Sequence, residues 1–352
     1  MRVVFFWEAA GLSIDRANPY GALMARAMAR LGVEFEPGYR ETLCRLWLEQ
    51  NRGRVDVLHL NWPSFLYSEP VLAEHVASCA AFVENLARAR SLGYMLVWTV
   101  HNLYPHESPN PEVDRLARFA VAHFSHVVIV HCQHARELVK QHFFRTADVL
   151  VIPHGHFIDP YPNTISRDEA RTCLNLPKTS FVYLNFGNLR PNKGVENLLE
   201  AFESIPGEDT FLLLALKSYN QYGAELVKHA SKRNARIRVH DSAFFDNSEL
   251  QVYFNAADVV VLPFRDILTS GSAITALSFY RPVIAPAIGC IPELIDNGVG
   301  ILYNPNQPEA LREAMVAIRR CAPETYHHAI RRKLETLNWD SIAQLTLAAY
   351  RG

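Results

Sequence analysis

The stretch Phe186-Gly187-Asn188-Leu189-Arg190-Pro191-Asn192-Lys193-Gly194-Val195 decides how this chain is read. The apolar run from Phe181 to Phe186 leads into it and the amphipathic segment from Val195 to Phe202 leaves it, so a strand passes through a glycine-bearing loop into a helix. That order makes an anion site. N–H groups at the helix start, reinforced by its dipole, face a phosphate, and Arg190 and Lys193 neutralise a diphosphate and stabilise it as a leaving group. Gly187 lets the backbone turn close to a ligand. The competing reading is a solvated turn with two incidental cations; the loop's place after the first strand of the second half of the chain favours the anion site.

Working outward, short apolar runs alternate with amphipathic segments in both directions, the pattern of βα units around a buried parallel sheet. Thr210 to Ala215, Ile237 to His240, Val259 to Leu262 and Val283 to Ala285 read as further strands of the second half. In the first half the strands are Val3 to Trp7, Val55 to Leu60, Met95 to Val100, Val127 to Val130 and Val149 to Ile152, with helices at Gly21 to Leu31, Val71 to Ala89 and His134 to Gln141. Asp159-Pro160-Tyr161-Pro162-Asn163-Thr164 interrupts the rhythm as a linker does. The expected division is therefore an N-terminal domain over 1–162, a C-terminal domain over 163–337 and a final helical segment over 338–352. In that segment Asp340 is the expected cap of a helix from Ser341 to Arg351.

Bulk properties agree with an ordinary globular α/β protein. A chain of 352 residues has room for two cores. Its 49% hydrophobic and 20% charged content excludes a disordered or collagenous chain, and a net charge of -1 argues against non-specific nucleic-acid binding. Six scattered cysteines without a CxxC pair suit reduced thiols in a cytosolic protein. Val3-Val4-Phe5-Phe6-Trp7 meets Glu8 too soon for a signal peptide or membrane span, and no later run reaches about 18 apolar residues. The expected location is cytoplasmic, with any membrane contact peripheral, at the inner membrane face.

Further landmarks follow in order. After Arg190 and Lys193 come Ala256-Ala257-Asp258-Val259-Val260-Val261-Leu262-Pro263, then Arg281-Pro282-Val283-Ile284-Ala285, then Gly289-Cys290-Ile291-Pro292-Glu293-Leu294-Ile295 and Asn297-Gly298-Val299-Gly300-Ile301-Leu302. This series resembles the second domain of the large GT-B family of bacterial glycosyltransferases, the group 1-like transferases, which includes retaining mannosyl- and glucosyltransferases. The resemblance implies a GT-B fold, two Rossmann-like domains facing a cleft, with the C-terminal helix crossing back to the first domain. It also implies that Arg190 and Lys193 bind the pyrophosphate of a nucleotide sugar.

One departure is informative. Where that family carries two glutamates eight residues apart, this chain has Ile267 and Thr275. The segment Pro263-Phe264-Arg265-Asp266-Ile267-Leu268-Thr269-Ser270-Gly271-Ser272-Ala273-Ile274 instead resembles that of exopolysaccharide β-mannosyltransferases that use GDP-mannose. Thr269, Ser270, Gly271 and Ser272 form a hydroxyl-rich turn before a helix, a donor-binding candidate at the carboxyl end of a strand, against the simpler reading of a Ser-capped helix start. Asp266 is placed to accept from a sugar hydroxyl.

In the first half, Trp98-Thr99-Val100-His101-Asn102-Leu103-Tyr104-Pro105-His106-Glu107 runs from a strand into a polar loop. His101 is the expected catalytic residue, as proton acceptor from an acceptor hydroxyl or as a hydrogen-bond partner of the donor sugar; Glu107, Glu8 and Asp15 compete for the role of base. The resembled family carries His-Asp or His-Asn at this place, which implies a site role. Gly11, in the loop after the first strand, matches a glycine turn near the donor phosphate. His154 sits in a turn resembling the family's hinge. His131-Cys132-Gln133-His134 lacks a second ligand pair, so no metal is expected. Trp47, Trp62, Phe65 and Tyr67 read as core or as acceptor-site wall.

These readings converge on an enzyme, a hexosyltransferase. The resemblance implies GDP-mannose or a UDP-hexose as co-substrate, no tightly bound cofactor, and as acceptor a glycan or lipid-linked glycan in bacterial polysaccharide or glycoconjugate synthesis. The rivals are a UDP-sugar-dependent transferase, a nucleotide-sugar epimerase and a non-catalytic nucleotide-sugar-binding subunit.

Overall fold

Two parallel six-stranded sheets organise the computed structural model, which describes residues 1–7, 12–14, 18–105, 107–218, 221–242 and 245–352. In chain order the first elements are β1 (Arg2–Phe6), α1 (Tyr20–Ala29), β2 (Glu34–Pro37), α2 (Arg45–Gln50), β3 (Val57–Leu60), α3 (Leu72–Ser91), β4 (Met95–Val100), α4 (Pro111–Phe124), β5 (Val127–Val130), α5 (Gln133–Phe143) and β6 (Val149–Val151). Then follow α6 (Arg167–Cys173), β7 (Phe181–Leu189), α7 (Val195–Glu203), β8 (Thr210–Ser218), α8 (Gln221–Arg233), β9 (Ile237–Asp241), α9 (Leu250–Ala256) and β10 (Val259–Val261). The chain closes with α10 (Gly271–Ser278), β11 (Val283–Pro286), α11 (Ile291–Leu294), β12 (Gly300–Tyr303), α12 (Ala310–Ile318), α13 (His327–Thr336) and α14 (Trp339–Arg351). Met1–Gly155 together with Leu337–Gly352 form one unit, and His156–Thr336 the other.

The second unit's sheet runs β12-β11-β10-β7-β8-β9. Its strands are buried on both faces, as a parallel sheet covered by helices requires. Val182, Leu184, Leu213, Val260 and Val283 point into one core, and their neighbours Tyr183, Leu212, Leu214, Val259 and Ile284 into the other. This period of two explains why the sequence shows continuous apolar runs rather than alternation. A buried ion pair anchors the first strand: Arg171 and Arg167 reach Asp258 at 2.7 and 2.9 Å, and Asp258 Oδ2 accepts the Val182 N–H at 2.7 Å.

The first unit's sheet runs β2-β1-β3-β4-β5-β6. Here α14 is tied in by polar contacts at both ends: Arg30 Nε donates to Asp340 at 2.9 Å, and His59 Nδ1 meets the Tyr350 hydroxyl at 2.5 Å within the core. The cap of α14 differs from expectation. Asn338, not Asp340, accepts the first N–H groups, those of Asp340 and Ser341, because the helix begins at Trp339 and so leaves Asp340 inside its first turn. β2 was not expected from the sequence, since Glu34-Phe35-Glu36-Pro37 is a charged edge strand rather than an apolar run.

Candidate active site

In open α/β sheets ligands sit outside the carboxyl ends of strands where the strand order reverses. In the second unit that point lies between β7 and β10, and the two loops leaving these strands are stitched together. Arg265 N–H donates to the Asn192 carbonyl at 2.9 Å, Asn192 Nδ2 donates to the Asp266 carbonyl at 3.2 Å, and the Arg265 guanidinium reaches Glu196 at 3.2 Å. Pro191–Lys193 form a single 3-10 turn that ends in Gly194, which caps α7 in the left-handed conformation. Lys193 Nζ stands 4.6 Å from the centre of the Phe264 ring. Burial, and then Arg190 beside it, lower the Lys193 ammonium from the ordinary 10.5 to about 8. A desolvated lysine beside a second cation is an arrangement in which a nearby anion, such as a diphosphate, would favour the charged form.

The turn before α10 closes on the same place. Gly187 has φ +126°, and a Cβ there would come within 3.2 Å of Ser272 Oγ. Ser270, 4% exposed, caps α10 by accepting the Ala273 N–H at 3.1 Å. Gly289 in the loop after β11 packs its Cα against the carbonyls of Ile267 and Leu268. Of the two positions that depart from the resembled family, Ile267 is 6% exposed within the core and Thr275 spends its hydroxyl on the Gly271 carbonyl at 2.9 Å.

The first unit reverses its strand order between β1 and β3. The residues leaving the ends of these strands and of β4 and β5 assemble an aromatic and histidine cluster. Trp7 lies 4.4 Å from Trp62 and 5.0 Å from Tyr20, ring to ring, and His101 lies 4.9 Å from both Trp62 and Tyr20. His101 is 3% exposed; its Nε2 faces Asn61 Oδ1 at 3.1 Å and its Nδ1 faces His131 Nε2 at 3.3 Å. Burial, followed by His131, His154 and His59, holds His101 well below the usual histidine range. Burial likewise lowers His131 to about 4 and His59 and His154 to about 3.

The structure thus gathers Arg190, Lys193, Thr269, Ser270, Gly271 and Ser272 around the reversal point of the second sheet. Asp266 joins them through its backbone carbonyl, while its side chain is exposed. His101 sits with Asn61 and His131 in the first unit. Glu107 is exposed further along the β4–α4 loop. Gly11, and with it Glu8 and Asp15, lies outside the described residues. Sequence reasoning missed the partners: Asn61, Tyr20 and His131 around His101, and Asn192 and Phe264 around Lys193. In the sequence His131 stands out only within the His131-Cys132-Gln133-His134 run; among the described residues no group of three metal-ligating side chains occurs.

A family model described as glycosyl transferases group 1 matches residues 166–334, the span that holds the loops after β7 and β10. The chain is also 30% identical over 301 residues to a GDP-mannose:glycolipid 4-beta-D-mannosyltransferase of Xanthomonas campestris pv. campestris, covering 85% of this chain and 80% of that protein. The chain belongs to the glycosyl transferases group 1 family. Another family relative is a D-inositol 3-phosphate glycosyltransferase of Streptomyces griseus subsp. griseus, 25% identical, covering 95% of this chain and 74% of that one. Among solved structures, sucrose-phosphate synthase from Thermosynechococcus elongatus superposes with a TM-score of 0.75 at 20% identity, over 100% of this chain and 98% of that one. Anabaena HepE in complex with UDP-glucose superposes with a TM-score of 0.74 at 16% identity, over 99% and 100%. This group 1 glycosyltransferase accordingly has the GT-B fold, as its sequence implied.

Proposed function

We propose that this glycosyltransferase transfers a hexose, mannose from GDP-mannose as the first choice, to a glycan or lipid-linked glycan acceptor in bacterial polysaccharide or glycoconjugate synthesis. The observation that carries the reading is the 30% identity, across 85% of the chain, to a GDP-mannose:glycolipid mannosyltransferase. The segment from Arg265 to Ser272, with Ile267 and Thr275 in place of glutamates, agrees with it.

In this reading the second unit holds the donor. Arg190 and Lys193 take the diphosphate and offset the charge that builds on it as the sugar leaves, and Thr269, Ser270, Gly271 and Ser272 present hydroxyl and N–H groups to phosphate or sugar. Asp266 is the one acidic side chain on this segment, and it faces solvent as a sugar hydroxyl requires. Gly11 belongs to the same donor group. The first unit holds the acceptor, with His101 and Glu107 on the acceptor side.

A lipid-linked acceptor fits the surface of the first unit. Val71, Leu72 and Val76, at and beside the start of α3, and Leu116 and Phe119 on the neighbouring α4 are exposed apolar side chains. No described helix is long and apolar enough to cross a membrane, so such a surface would act peripherally, at the inner membrane face.

The test is to incubate the protein with GDP-mannose or UDP-glucose, with and without a lipid-linked glycan fraction, and to follow nucleotide release and lipid glycosylation. GDP release from GDP-mannose with glycosylated lipid is the expected result. No response to any nucleotide sugar contradicts the proposal, and sugar rearrangement without an acceptor would indicate an epimerase.

A further inference from the structure

A trough of about 740 Å³ in the first unit is walled by the edge strand β6 on one side and by α14 on the other. It is set apart from the histidine cluster. Met95 opens β4 and Val127 opens β5, so the trough reaches the amino ends of these strands, whereas His101 and His131 follow their carboxyl ends. Its volume falls within the range of small-molecule sites, about 300–1,000 Å³. Met95, Val127, Leu150, Ile152, Leu345 and Ala349 make its walls apolar. Two of them, Leu150 and Leu345, are 39% and 49% exposed, so both leave large apolar surface in water. From Asp148 to Ile152 the β6 wall runs roughly 13 Å, at about 3.3 Å per residue.

The amino end of the trough is polar, and its side chains are held in place. Arg90, in the last turn of α3, donates from Nη1 to the carbonyls of His123 and Phe124 at 3.3 and 3.1 Å, which fixes the guanidinium and leaves its Nε and Nη2 hydrogens for another acceptor. The Leu96 N–H donates to His126 Nδ1 at 3.0 Å, so the neutral ring carries its own hydrogen on Nε2 and is a donor there. Arg145 braces the same residue, donating from Nη2 to the His126 carbonyl at 2.8 Å and from Nε to the Ala147 carbonyl at 2.6 Å. Among the side chains that line the trough the one acid is Asp148, which is 66% exposed and pairs with Arg145 at 3.4 Å. Two guanidinium charges against one carboxylate leave the lining side chains with a surplus of positive charge. Burial, and then Arg90, lower His126, so near neutral pH it meets an anion as a neutral N–H donor.

We propose that this trough binds an amphiphile with an anionic head and one aliphatic chain. The head rests on Arg90 and on His126 Nε2, and the chain lies along Leu150, Ile152 and Leu345. Charge and apolar wall are both needed: an inorganic ion gains nothing from the leucines, and a plain hydrocarbon leaves the donors of Arg90 and His126 without an acceptor. The proposal stands apart from the transfer reaction, because none of these side chains belongs to the donor loops or to the histidine cluster.

The test is titration calorimetry of decyl phosphate, kept below its micelle concentration, against the full chain, with inorganic phosphate and decanol as comparisons. The expected result is saturable one-to-one binding of decyl phosphate, roughly tenfold or more tighter than either comparison. Arg90→Gln should weaken decyl phosphate roughly tenfold and leave decanol unchanged. Leu345→Asp should weaken decyl phosphate and decanol alike. Both side chains are exposed or half in water, so both variants should keep the wild-type melting temperature and the wild-type affinity for GDP. Vesicles of anionic phospholipid that compete with decyl phosphate, where neutral vesicles do not, identify a membrane headgroup as the source of the ligand; no competition from either identifies a soluble amphiphile. Inorganic phosphate binding as tightly as decyl phosphate, or binding that survives both variants, would overturn the proposal. So would sedimentation showing a dimer that Leu345→Asp dissociates, since a second copy of the chain would then cover the trough.

Discussion

Gly194 lies directly beneath the carbonyl of Pro263: at φ +65° a Cβ would stand 2.1 Å from that oxygen. The contact brings the loop after β7 against the loop after β10 and holds Lys193 over Phe264. Gly194→Ala meets both a left-handed backbone cost of about 1–2 kcal/mol and overpacking of about 1–3 kcal/mol. Denaturant unfolding should show a loss of roughly 2–5 kcal/mol. A change under about 0.5 kcal/mol would mean that the two loops are not held this way.

With Lys193 on the diphosphate, as proposed, its lowered ammonium would make donor binding depend on pH. With its free value near 8, Lys193 is mostly protonated at pH 7, and a bound diphosphate favours the charged form and raises the value. Nucleotide affinity should be nearly flat below pH 7 and weaken as pH rises through 8, approaching tenfold per pH unit above it. Titrating GDP at pH 6.5 to 9.5 checks this, and Lys193→Met should remove the alkaline loss along with part of the affinity.

Arg171 and Asp258 test the second unit's framework apart from its chemistry. Both are almost fully buried, and Asp258 also accepts the Val182 N–H. Arg171→Ala removes the fully buried partner of the carboxylate and leaves the half-exposed Arg167 as an ion-pair partner, so thermal and denaturant unfolding should register a loss of about 3–5 kcal/mol. A smaller effect would show that Arg167 alone satisfies Asp258.

The exposed apolar side chains of α3 and α4 allow a further check. Replacing Leu116 and Phe119 with serine removes two large exposed groups without touching the core, so the melting temperature should hold. Co-flotation with anionic phospholipid vesicles should fall several-fold. Unchanged flotation would move any membrane contact away from this surface.

Much of the architecture could be read from the chain because parallel strands buried on both faces appear as plain apolar runs, as in Val127–Val130 and Val259–Val261. The strand–turn–helix passage from β7 to α7 was equally legible, since its glycines and cations lie within one stretch of ten residues. Pairings across sequence were not. His131 lies 30 residues from His101 and reaches it only because β4 and β5 are neighbours in the sheet. Phe264 meets Lys193 only because β10 pairs with β7. β2 carries no apolar run to mark it, because an edge strand with one face in solvent can hold glutamates. The α14 cap lies two residues before the expected Asp340, because Asn338 and Asp340 both suit the role and only the point where the helix begins decides between them.

The central claim, that Arg190 and Lys193 hold the diphosphate of a nucleotide sugar, is tested most directly by titration calorimetry of GDP against the wild-type chain and the variants Arg190→Ala and Lys193→Ala at pH 7. The account predicts saturable binding to the wild type and at least a tenfold loss in each variant, about 1.4 kcal/mol or more, with the fold of both variants intact by circular dichroism. Equal affinity in all three proteins would contradict it.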